Sequence, residues 1–125
     1  YDISVAMSKI PDFMDKGFKA ALDILPIIRP YPVGHIGDGN VHFSFKAPVG
    51  MDQQTLNQYT PAITRAVNDL ITSMGGSISA EHGIGMDKLD ELSHYRSKTE
   101  LDIMRTIKRA LDPQNIMNPG KVLRV

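Results

Sequence analysis

Residues 34–45 read GHIGDGNVHFSF. The pair Asp38-Gly39 is a strong short signal for a β-hairpin, because a two-residue type I′ turn needs positive φ at both central positions. With that pair at the turn, Gly37 opposes Asn40, Ile36 opposes Val41 and His35 opposes His42. Directly opposed residues of an antiparallel pair have Cβ atoms about 4.5–5.5 Å apart. The two imidazoles are therefore expected side by side on one face, within reach of one metal ion. Ile36, Val41, Phe43 and Phe45 point the other way and are expected in the core.

The rest of the chain supplies partners for this hairpin. Residues 2–7 alternate, with Ile3, Val5 and Met7 against Asp2, Ser4 and Ala6, which predicts a half-buried strand. Ser8 is the expected cap of a following helix that carries Pro11 and Asp12 in its first turn. Phe13, Met14, Phe18, Ala21, Leu22 and Leu25 recur at helical spacing, Gly17 weakens the helix and Pro26 stops it. The hairpin strands are expected over 31–37 and 40–47. Asp52 caps a short turn, and Thr60-Pro61 reads as the cap and first residue of a second helix. That helix has Ile63, Ala66, Val67, Leu70, Ile71 and Met74 on one face and ends at Gly75-Gly76. Residues 77–81 alternate again, Ile78 and Ala80 against Ser77, Ser79 and Glu81. After Gly83-Ile84-Gly85 comes one long helix over 88–111, with Leu101, Met104, Ile107, Lys108 and Leu111 in a stripe. Asp112-Pro113 closes it, and Asn118-Pro119-Gly120-Lys121 is a turn in the tail.

This order predicts an α+β fold, a ferredoxin-like βαββαβ antiparallel sheet with both crossover helices on one face, plus a C-terminal helix and tail. Residues 1–125 are expected to form a single domain, a length that allows a modest core. The absence of an initial Met and the immediate strand pattern suggest a piece of a longer protein. There is no cysteine, which excludes a disulfide framework and thiolate metal ligation. Fourteen basic and fourteen acidic residues cancel, so the charge expected of a nucleic-acid binder is missing. No apolar run approaches the roughly 20 residues that a membrane-spanning helix needs.

Strand parity brings Glu81 into the same neighbourhood. If Ile78 and Ala80 face the helices, Glu81 faces the open side with His35 and His42. Two imidazoles and a carboxylate with one position open suit a catalytic divalent ion, zinc or manganese. Such an ion holds a substrate carboxylate or hydroxyl and lowers the pKa of the hydroxyl. His82, where the strand gives way to Gly83, is a candidate general base for that proton. Asn40 and Ser44 lie on the histidine side and are candidates for orienting a bound acid. His94 falls in a polar helix and receives no role. Gly83-Ile84-Gly85 lacks the third glycine of a dinucleotide fingerprint.

GHIGDGNVHFSF, SISAEHGIGMDK and LDPQNIMNPGKVL, in that order, together with the opening YDISVAMSKIPDF, resemble the C-terminal domain of the FAD-linked oxidase family. The similarity is to its D-2-hydroxy-acid dehydrogenases: glycolate oxidase large subunit, D-lactate dehydrogenase and D-2-hydroxyglutarate dehydrogenase. The resemblance implies an FAD-binding domain before this chain, with the present domain covering the flavin and supplying the substrate site. It implies metal ligation by His35, His42 and Glu81, and His82 as the base while the flavin takes the α-hydride of a small 2-hydroxy acid. It also implies that Asn118 approaches the flavin. Ser44 departs from the Asn that hydroxyglutarate enzymes tend to have there, which argues against that substrate. Without its FAD domain the chain is expected to be inactive and to self-associate through its open sheet face and last helix. Its parent is expected in the bacterial cytoplasm or in mitochondria. The alternative is a non-catalytic ferredoxin-like metal- or ligand-binding module.

Overall fold

Three antiparallel strands form the sheet: β1 (Asp2–Ser4), β2 (Arg29–His35) and β3 (Asn40–Lys46), in spatial order β1-β3-β2. Four helices complete an α+β fold: α1 (Ile10–Ile24), α2 (Gln53–Ser73), α3 (Leu89–Tyr95) and α4 (Lys98–Leu111). The computed structural model describes residues 1–125. The chain divides into two units, Tyr1–Glu81 and His82–Val125.

In the first unit the hairpin forms, but with a longer turn than expected. His35 pairs with Asn40 and Val33 with His42. The connection is a 3₁₀ turn over Ile36–Asp38, closed by Gly39 at φ 74°. Gly39 has a steric reason to be glycine, since a Cβ there would lie 2.3 Å from the Val5 carbonyl oxygen. The register therefore differs from the expected one by two residues. An even shift leaves every side chain on its own face. Val41 and Phe43 are buried, as read from the sequence, but Ile36 sits in the turn and is 66% exposed.

Phe43 is the centre of the core. Its ring lies 5.0 Å from Phe13, 5.2 Å from Phe18 and 5.0 Å from Phe45. Gly17 lets α1 approach this ring, because a Cβ on Gly17 would come within 2.9 Å of Phe43 Cζ. The helix thus accepts a residue that costs roughly 0.5–1 kcal/mol relative to Ala. From α2, Ile63, Val67 and Ile71 are buried against the same core, matching the expected face.

Several local expectations are corrected. Strand β1 stops at Ser4, and Met7, expected inside, lies in a 3₁₀ turn and is 59% exposed. Helix α1 is preceded by Lys9, with no side-chain cap from Ser8; Pro11 opens it instead, its φ already suited to a first helical turn. Asp52 caps the whole of α2 by accepting the Thr55 N–H at 2.7 Å, and Pro61 lies inside that helix rather than at its start. A proline there removes one helical hydrogen bond, but the apolar stripe continues through it and burial holds the helix together. The expected fourth strand is reduced to one antiparallel bridge, Ser4 to Ser77. That bridge adds the 77–81 segment beside β1, the position a fourth ferredoxin-like strand would take. Ala80, expected beneath the helices, is exposed.

In the second unit the expected long helix is two. Ser97 accepts the Glu100 N–H at 3.2 Å, while the Glu100 carboxylate accepts the Ser97 N–H at 3.0 Å. This reciprocal capping box starts α4 afresh. Leu92, Leu101 and Leu123 form the small core, with Ile84 and Met104 against it. Within this unit Ile107 and Leu111, expected in the buried stripe, are 54% and 76% exposed. Asp112 organises the tail: it pairs with Lys108 and accepts the N–H groups of Ile116 and Met117 at 3.0 and 2.9 Å. The Lys108 hydrogen bond, followed by those backbone donors, holds the Asp112 carboxyl below the usual carboxylate range.

Candidate metal centre

The site residues of the first unit are placed by strand alternation and by one buried acid. On the face of the sheet away from α1 and α2 stand Tyr31, Val33 and His35 of β2, Asn40, His42 and Ser44 of β3, and Asp2 of β1, opposite His42. Because of the shifted register, His35 and His42 are diagonal rather than opposed, with ring centroids 6.5 Å apart. Diagonal neighbours on one sheet face are still within reach of long side chains.

Glu81 joins them without being part of a strand. Its backbone N–H donates to both oxygens of Asp2, at 3.0 and 3.2 Å, and the Ala80 N–H donates to Asp2 Oδ2 at 3.1 Å. Ser79 Oγ donates to the same carboxylate at 3.2 Å. So held, the Glu81 carboxylate reaches between the histidines: Oε1 lies 3.2 Å from His35 Nδ1, and Oε2 lies 3.6 Å from His42 Nε2. Ligand atoms about 2.0–2.1 Å from a tetrahedral zinc are roughly 3.3 Å from one another. The two contacts use different oxygens of Glu81, and the donors, imidazole nitrogen and carboxylate oxygen, are of the kinds that bind zinc or manganese. His35 and Glu81 are largely open to solvent at 65% and 44% side-chain exposure, which leaves access for an ion and one further ligand.

Asn40 is opposite His35, with both side-chain polar atoms buried and unpartnered. Ser44 is half-buried, opposite Tyr31. His82 is exposed and opens the second unit immediately after Glu81, followed by Gly83 at φ 73°. Asn118 is exposed in the tail at φ 48°, in a turn where the Lys121 N–H donates to its carbonyl at 3.3 Å. Asp2 is the residue that sequence reasoning missed. It reads as the polar half of an alternating strand, yet it is only 4% exposed. Nothing in the sequence pairs the first strand with the hairpin in register, so its place opposite His42 carries no local signal.

The chain belongs to the family of FAD linked oxidases, as their C-terminal domain, the match running over residues 1–122. It is 38% identical over 121 residues to a D-2-hydroxyglutarate dehydrogenase of Stutzerimonas stutzeri, covering 97% of this chain and 26% of that protein. To a D-lactate dehydrogenase of Anaerostipes hadrus it is 32% identical over 121 residues, 97% of this chain and 25% of the relative. To the mitochondrial D-2-hydroxyglutarate dehydrogenase of Arabidopsis thaliana it is 34% identical over 123 residues, 98% of this chain and 21% of the relative. The chain thus spans about a quarter of the length of the curated relatives it matches. No helix is long and apolar enough to cross a membrane.

Proposed function

We propose that this chain is the C-terminal, substrate-side part of a flavin-dependent dehydrogenase that oxidises a D-2-hydroxy acid to a 2-oxo acid. The reading is supported above all by the convergence of His35, His42 and Glu81 on one sheet face in a chain of this family. These three residues would hold zinc or manganese, which when bound supplies a Lewis acid for the substrate hydroxyl. FAD, which a further domain would carry, would supply the hydride acceptor. Asn40 and Ser44 orient the acid. His82 takes the hydroxyl proton as general base. Asn118 would lie toward the flavin. Glycolate, D-lactate, D-2-hydroxyglutarate and other D-2-hydroxy acids are the candidate substrates, and Ser44 weakens the assignment to hydroxyglutarate. The parent enzyme belongs in the bacterial cytoplasm or in mitochondria.

Two measurements test this. Zinc and manganese titrations of the chain should show one site that His42→Ala removes; equal binding by both proteins, or none at low micromolar metal, overturns the metal role. The chain joined to an upstream FAD domain should reduce its flavin with at least one D-2-hydroxy acid and pass the electrons to an artificial acceptor. Failure with all of them favours a non-catalytic metal- or ligand-binding module. Alone, the chain should be inactive. It should also self-associate, because Tyr31, Val33, Ile103, Ile107 and Leu111 are each more than half exposed. A clean monomer by light scattering overturns self-association.

A further inference from the structure

Asp2 is a buried carboxylate that the proposed chemistry does not use. It is 4% exposed and stands opposite His42 in the β1–β3 ladder. Three donors of the 79–81 segment converge on it: the Glu81 N–H, the Ala80 N–H and the Ser79 hydroxyl, at distances from 3.0 to 3.2 Å. Its Oδ1 is also 3.9 Å from His42 Nδ1, while the other ring nitrogen, Nε2, faces Glu81 at 3.6 Å. One side chain thus touches the backbone of one candidate ligand and the far side of the ring of another.

We infer that Asp2 is a positioning residue that assembles the His42–Glu81 pair. Its negative charge favours the tautomer with the proton on Nδ1, which leaves the Nε2 lone pair facing Glu81. Its acceptance of the Glu81 N–H helps set where the Glu81 carboxylate emerges, in a segment held to β1 by the Ser4–Ser77 bridge and by the Ala80 N–H to the Asp2 backbone carbonyl at 3.2 Å. Metal-binding histidines commonly donate their second N–H to a carboxylate, and loss of that partner typically costs about 10–100-fold in affinity. The hydrogen bonds from Ser79, Ala80 and Glu81 to its carboxylate give Asp2 this positioning role, and the zinc titration below separates it from ligation.

The metal arm of this inference rests on the proposed His35–His42–Glu81 site; the tautomer arm does not. In the metal-free chain, in buffer well above the ordinary imidazole range, long-range nitrogen–proton NMR should find His42 protonated on Nδ1. In Asp2→Asn the Nε2-protonated tautomer should gain population, and in Asp2→Ala the Glu81 amide, which donates to the side chain, should also exchange faster. Zinc titration, with cobalt(II) as a coloured probe of geometry, should show binding weakened about 10–100-fold by Asp2→Asn but not abolished. Circular dichroism and melting of each variant separate this from unfolding, and Asp2→Glu should recover part of the affinity. An unchanged tautomer and unchanged zinc affinity in folded Asp2→Asn overturn the inference. So does complete loss of zinc binding equal to that of His42→Ala, which would make Asp2 a ligand. If the wild-type chain binds no zinc, the metal reading fails and the tautomer and exchange results alone uphold or overturn the role of Asp2.

Discussion

Thirteen apolar residues are buried together in the Tyr1–Glu81 unit and three in the His82–Val125 unit, so the two must be stabilised differently. The first has two helices and a sheet packed around Phe43. The second substitutes local polar locks: the Ser97–Glu100 capping box, the Arg124–Asp90 pair at 2.6 Å, and the Asp112 carboxylate gathering Lys108 and two backbone donors. Carboxylates with lowered pKa are concentrated in the second unit. Hydrogen bonds from Arg124, the Ser97 backbone, Lys98 and Lys108 lower the pKa of Asp90, Glu100, Asp102 and Asp112 respectively. In the first unit Asp52 is lowered in the same way by the Thr55 N–H. Burial is insensitive to protonation, whereas a lock built on a carboxylate is not.

The largest effect should come from Phe43→Ala, which empties the centre of the first core and should cost about 3–5 kcal/mol by denaturant unfolding. A loss below about 1 kcal/mol would mean that the aromatic cluster does not carry the unit. Pro61→Ala should act in the opposite direction. It restores an N–H in an exposed helix interior where proline costs about 3 kcal/mol, and part of that gain is offset by greater freedom of the unfolded chain. A higher melting temperature is expected, and a lower one would show that Pro61 has a packing role.

Acid should discriminate the units. A carboxylate whose pKa is lowered on folding contributes its stability fully above its unfolded value, and the contribution is lost as pH falls through the folded value. The Ile116 and Met117 amides should therefore lose exchange protection below the ordinary carboxylate range, before the amides around Phe43 do. Asp112→Asn should loosen the same two amides at neutral pH; full protection in that variant would remove Asp112 as the lock. The smallest change is expected from Ser97→Ala, which leaves one helix-start donor unpaired. About 1 kcal/mol is expected, with faster exchange in the first turn of α4. No change would mean that α3 and α4 are separated by something other than this cap.

Which features could be read in advance depends on how local their causes are. The helices over Phe13–Ala21 and Ile63–Ile71 repeat apolar residues at a spacing that only a helix buries on one side, and both are present. The hairpin was legible for the same reason, and parity survived the shift because the turn lengthened by an even number of residues. The turn itself was misread. The close approach of Val5 to Gly39 involves a residue more than thirty positions away, and a local turn rule does not contain it. The break between α3 and α4 had a visible signature, Ser97-Lys98-Thr99-Glu100, hidden within a continuous apolar period. Pro61 misled in the other direction, since its usual place at a helix start yielded to the burial of residues on either side.

The sequence by itself determined the α+β class, the family, and the side of the hairpin on which His35 and His42 stand, because periodicity and alternation are properties of neighbouring residues. Only the tertiary structure decided how Glu81 reaches them. The expected strand over 77–81 made a single bridge, and the capture of its N–H groups by Asp2 replaced the missing ladder. That contact joins residues nearly eighty positions apart, and such a pairing exists only once the chain has folded.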